Sequence, residues 1–160
     1  MTDFEQTWRL TRGRFEDALA GLNQSQLNWR MHPEALTIGE MALHVAGTEV
    51  SFISQLLDEE PTDLAGRLKP ASTDGVINDK PFPFSPAEIT PELVQQGLQA
   101  AKSLAEPIIS SPTEAIRSKE IVSVLGPVIT GEGAFARLSY HPGYHQGQIH
   151  LVKTAPGFPD

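Results

Sequence analysis

"TIGEMALHVAGTEVSFISQLL", residues 37–57, is the stretch whose reading decides the fold. Thr37 followed three residues later by Glu40 is a capping-box pattern, in which hydroxyl and carboxylate each satisfy a backbone N–H at a helix start. Beyond it Ile38, Met41, Val45, Phe52 and Leu56 recur at helical spacing, so the stretch predicts a helix running to Leu57 with one apolar stripe. Two residues sit uneasily in it. His44, on the stripe's flank, must find a partner or bear the cost of desolvation. Glu49 falls near the stripe's centre, where a carboxylate is seldom tolerated unpaired. Its candidate partners are a metal, a ligand imidazole's N–H, Trp29, Arg9 or another donor. About 140° of helical rotation separates Glu49 from His44. A structural or imidazole-supporting role therefore suits Glu49 better than direct ligation.

Working outward, residues 2–22 predict a first helix, opened by a capping box at Thr2 and Glu5 and carrying Phe4, Trp8, Phe15, Leu19 and Leu22 on one face. "NQSQLNWRMHPEAL" reads as a polar connection. Residues 58–85, rich in proline, glycine and aspartate without sustained periodicity, read as a long loop placed to line a pocket mouth. Thr90 as N-cap with Pro91 at the first helical position starts a third helix, ending near Pro107. "SSPTEAIRSKEIVSVLGPVITGEG" is open between a short helix, an extended segment or both. A last helix follows Thr130 and carries Phe135, Leu138, Ile149 and Val152 before Pro156. Four main helices around one core make this an all-α chain, one domain over residues 1–160.

Composition narrows the function. The 160 residues carry a formal net charge of −8, and the 12 Lys and Arg residues are scattered, which disfavours a nucleic-acid or anionic-membrane partner. No apolar run approaches the roughly 20 residues of a membrane span, and the acidic N-terminus lacks a signal peptide's basic start. The expected location is the cytoplasm. The absence of cysteine removes disulfides, thiolate nucleophiles and cysteine-containing zinc sites together. A bound metal must use His, Asp or Glu.

"YHPGYHQGQIH", residues 140–150, supplies the candidates. His141 and His145 are four residues apart, which on a helix puts both rings on one face, able to reach one metal ion. Solvated imidazoles on an exposed helix would give the same spacing. His44 is the strongest candidate for a third ligand, against a core-edge histidine bonded to a backbone carbonyl. His32 lies in the connection before Pro33, and His150 is turned about 140° from His145. Pro142 inside this helix costs about 3 kcal/mol or more, so the chain either kinks there or restarts at Pro142.

With these residues in view, the chain resembles the DinB/YfiT-like family of metal-dependent enzymes. The likeness lies in "LNWRMHPEALTIGEMALHVAGTE", a Trp- and Pro-containing connection leading into a His-bearing helix, and in "HPGYHQGQI", which is similar to the family's terminal His-x-x-x-His-x-Gly-Gln-Ile signature. The resemblance implies an up-down-down-up four-helix bundle and a site for a divalent transition metal (zinc, nickel or iron) formed by His44, His141 and His145. It further implies that Gly147 lets a neighbouring helix approach and that Gln148 bonds across the bundle. The activity it implies is a hydrolase, or a transferase using a low-molecular-weight thiol, acting on a small molecule as a homodimer. Without cysteine, any sulfur nucleophile must arrive on a cosubstrate. Glu49 and Tyr144 are the candidate general bases, Tyr144 being equally well read as core packing. The competing class is a bundle that binds a metal or small ligand without turnover.

Overall fold

The computed structural model describes residues 3–160, so Thr2 of the first capping box lies outside the described residues. The elements are α1 (Asp3–Leu19), α2 (Gln24–Asn28), α3 (Ile38–Leu57), α4 (Asp63–Leu68), a 3-10 turn (Lys69–Ser72), α5 (Pro91–Ser110), α6 (Glu114–Ser118), β1 (Glu120–Val122), β2 (Val128–Thr130) and α7 (Gly131–Lys153). The chain is thus mostly helical, with one short hairpin, as an all-α reading requires.

Local chemistry explains most boundaries. Thr37 and Glu40 form the reciprocal cap at the start of α3, and Thr90 and Thr130 cap α5 and α7 through their hydroxyls. α1 stops at Leu19, earlier than the apolar pattern suggests, because Gly21 takes φ +76° and turns the chain. Leu22 still reaches the core. The polar connection contains α2, opened by a second reciprocal cap between Asn23 and Gln26. Residues 110–133 form both helix and extended chain: α6, then β1 paired antiparallel with β2.

The expected 58–85 loop holds α4 and the 3-10 turn. Six residues are too few to show a period, and these are held by packing, with Leu68 and Ala71 fully buried in the main core. α5 continues past Pro107 to Ser110, since Ile109 buries completely beside Phe135 and Leu138. That burial outweighs the backbone bond Pro107 cannot make.

α3 is buried on nearly every face, from Ile38 to Leu56, because α5, α7, α2, α4, the 3-10 turn and β1 all pack on it. α1 lies against α7 and α5. Along α1 and α7 the contacts advance together: Ser139 Oγ donates to the Phe4 carbonyl, Thr11 Oγ1 to the Ser139 carbonyl and Lys153 Nζ to the Ala18 carbonyl. Along α1 and α5 they run oppositely, Ser110 Oγ donating to Glu5 and Arg12 Nη2 to the Leu98 carbonyl. Among the described residues no helix is long and apolar enough to cross a membrane.

Candidate metal centre

α7 runs unbroken through Pro142, which is itself buried. Neither a restart nor a helix junction occurs at His141. Packing carries the helix across: Thr11 of α1 lies against Gly143 and donates to the Ser139 carbonyl at 2.8 Å, so α1 braces the turn that contains Pro142. His141 and His145 therefore share one face, with ring centroids 4.6 Å apart.

His44 meets them from α3. The Nε2 atoms of His44 and His141 are 3.1 Å apart, and those of His141 and His145 are 3.0 Å apart. Each histidine offers a nitrogen within 4.8 Å of the others. Gly47 makes this geometry reachable. A Cβ there would collide with the Leu68 carbonyl and lie 3.0 Å from the Ser72 nitrogen, so only glycine lets the 3-10 turn close onto α3. That approach brings the Ala71 carbonyl 2.8 Å from His44 Nδ1. A carbonyl oxygen can only accept, so Nδ1 carries the proton and Nε2 presents its lone pair to the other two rings.

The electrostatics favour neutral rings. Burial pushes His44 below the ordinary histidine pKa, opposed by its bond to Ala71. Burial pushes His141 well down, reinforced by His145 and His44 beside it. His145 falls to about 3, through burial first and the nearby His44 second. No acidic side chain joins the cluster among the described residues.

These residues fit a divalent metal. Two imidazole nitrogens bound at ~2.0–2.1 Å to one ion at near-tetrahedral angles lie about 3.3 Å apart, within a few tenths of an ångström of the 3.0 and 3.1 Å found. Three neutral imidazoles suit zinc, nickel, iron or copper alike. The rings face a cavity of about 770 Å³. Thr48, Ser72, Ser123 and Gln148 supply polar groups to it, while Phe52, Ile77 and Leu125 represent its largely apolar wall. Ser72, Val76 and Ile77 come from the 58–85 segment, which does line this cavity.

Glu49 lies apart from the cavity lining and is 1% exposed. Its Oε1 accepts from Trp8 Nε1 and Arg12 Nε, both at 2.9 Å, and its Oε2 from Arg12 Nη2 at 3.3 Å. Trp8 and Arg12, rather than Trp29 or Arg9, are its partners. Trp29 packs edge-on against Phe158, and Arg9 pairs with Glu5 and Glu106. Tyr144 is half-exposed and faces the cavity, its hydroxyl accepting from Gln148 Nε2 at 3.1 Å. It is not core packing. Gln148 bonds within its own helix rather than across the bundle. Among the described residues nothing beyond its own turn of helix lies within 4 Å of where a Gly147 Cβ would sit, so that glycine serves no close approach. His32 reaches the cavity rim outside the cluster, and His150 is exposed on another face. The residues that sequence reasoning missed are Gly47 and Ala71. The first is visible only as a glycine one turn beyond His44, and the second acts through its backbone and leaves no side-chain signal.

A model of the DinB superfamily matches residues 7–149. Among curated proteins, none matches the chain. Among solved structures, the crystal structure of a conserved protein from Enterococcus faecalis aligns with a TM-score of 0.70 over 98% of this chain and 99% of that one, at 18% identity. That likeness is one of fold.

Proposed function

The chain belongs to the DinB superfamily, and from that premise we propose that it is a metal-dependent enzyme acting on a small molecule, as a thiol-dependent transferase or a hydrolase. In this reading the long helices α1, α3, α5 and α7 form an up-down-down-up bundle. Parallel contacts between α1 and α7 and antiparallel ones between α1 and α5 support that order. His44, His141 and His145 hold the metal. The observation that carries the proposal is the convergence of their Nε2 atoms at the wall of the large cavity.

A bound divalent ion supplies a Lewis acid that lowers the pKa of a bound water or thiol, or polarises an electrophile's oxygen. The chain's own residues do the rest. Ala71 holds His44 in the tautomer that bares Nε2. The apolar wall excludes water and takes the body of the substrate. Tyr144 presents a phenol to the same space and is the candidate proton donor or acceptor. The sulfur of a transferase reaction comes from a low-molecular-weight thiol, since the chain has no cysteine. A cytoplasmic homodimer is part of the same proposal.

One observation favours the second reading, a bundle that binds without turnover: Glu49 is fully engaged by Trp8 and Arg12 and offers no free carboxylate base. A panel of thiols and small electrophiles, incubated with metal-loaded protein and followed by mass spectrometry, separates the two. Metal-dependent conjugate or hydrolysis product supports the enzyme. Product at the no-protein level across the panel, with ligand still bound, supports the binding protein.

A further inference from the structure

His145 Nδ1 and Gln148 Oε1 are both buried, and neither has a hydrogen-bond partner. Among the described residues one other buried side-chain polar atom, Asn28 Oδ1, shares that state. The two atoms are complementary. A neutral imidazole carries one N–H, and an amide oxygen can only accept. They also belong to residues three apart on α7, where side chains are neighbours on one helical face. The amide's orientation is already set from its other end, because Gln148 Nε2 donates to the Tyr144 hydroxyl.

We propose that Gln148 is the positioning residue for His145: its Oε1 accepts the Nδ1 proton and fixes the ring with Nε2 bare toward His44 and His141. The arrangement parallels His44, whose Nδ1 is held by the Ala71 carbonyl. One ligand is thus oriented by backbone from the 58–85 segment and another by a side chain of its own helix. Tyr144 takes part by anchoring the amide, so the cavity phenol and the imidazole are linked through Gln148. The effect on metal affinity rests on the three-histidine reading, whereas the tautomer of His145 does not.

The experiment therefore has two arms. In metal-free protein with ¹⁵N-labelled histidine, NMR is expected to find His145 protonated at Nδ1 and that proton slow to exchange. In Gln148→Leu the tautomers mix and exchange quickens. In the second arm, zinc affinity by chelator competition falls about 10- to 100-fold in Gln148→Leu, while Gln148→Glu, which keeps an acceptor, holds wild-type affinity or better. Urea unfolding of the metal-free variants identifies any that fail to fold. The proposal is overturned if His145 in the wild type is protonated at Nε2. It is equally overturned if Gln148→Leu leaves tautomer and zinc affinity unchanged, or if Gln148→Glu is as weak as Gln148→Leu. Wild-type protein that binds no zinc would end the three-histidine reading, and the tautomer arm would still decide the role of Gln148.

Discussion

Replacing Glu49 by glutamine removes one charge from a pair that is almost wholly out of water, Arg12 being 2% and Glu49 1% exposed. Glutamine keeps the shape and can still accept from Trp8, so the loss isolates the charge. At an effective dielectric of ~20, two charges about 4 Å apart attract by about 4 kcal/mol. Removing one partner of a buried pair typically costs about 3–5 kcal/mol. Arg12 retains Glu16 at 2.7 Å and the Leu98 carbonyl at 2.8 Å. These two remaining partners, one of them a carboxylate, keep the guanidinium from being left uncompensated, so the lower end, about 3 kcal/mol, is expected. For a domain of this size that is a fall in Tm of roughly 6–12 °C. Urea denaturation of metal-free protein measures the free energy, and calorimetry the Tm. Arg12→Met with Glu49→Met should recover part of the loss, because the pair leaves no buried charge behind, although the buried Trp8 N–H loses its acceptor. Zinc affinity should stay at the wild-type value, since Glu49 does not reach the histidines. A Glu49→Gln protein less than about 1 kcal/mol destabilised but inactive with metal bound would show that Glu49 works in the chemistry, and would refute this reasoning.

Gly47→Ala drives its new methyl into the Leu68 carbonyl and pushes the 3-10 turn off α3. We expect a loss of about 2–3 kcal/mol in urea unfolding and weaker zinc binding, as His44 loses Ala71. Glu88 is held down to about 2 by the N–H and hydroxyl of Ser85 and then by Arg67, against a usual 4.5. Its contribution to stability is therefore complete above pH 4.5 and is lost as pH falls through about 2. Carboxyl-carbon NMR titration should find that value, and Glu88→Gln should flatten the acid limb of the stability curve.

The parts of the fold that sequence reveals are those set by local chemistry. The Thr37–Glu40 cap, the Thr90–Pro91 start and the long apolar periods each state a helix in their own residues. α2 and α4 hold five and six residues, shorter than two turns, and exist because Leu27, Leu68 and Ala71 are buried by other elements. Their positions depend on contacts distant in the chain. Pro142 shows the same limit. The proline itself argues for a break, and the bracing by Thr11 that prevents one lies more than a hundred residues earlier. The histidine cluster was legible as a pair by spacing and as a trio by resemblance. Glu49 was legible as needing a partner, but Trp8 and Arg12 could not be identified without the fold that brings these α1 side chains to α3.

The central claim is that three imidazoles from α3 and α7 make one metal site. Its most direct test is the metal content of protein purified without a histidine tag, by plasma mass spectrometry, beside His145→Ala. The expected result is about one equivalent of a divalent transition metal per chain, as isolated or after reconstitution, and its loss in His145→Ala with helical circular dichroism retained. Less than about a tenth of an equivalent after reconstitution, or undiminished metal in His145→Ala, would contradict it.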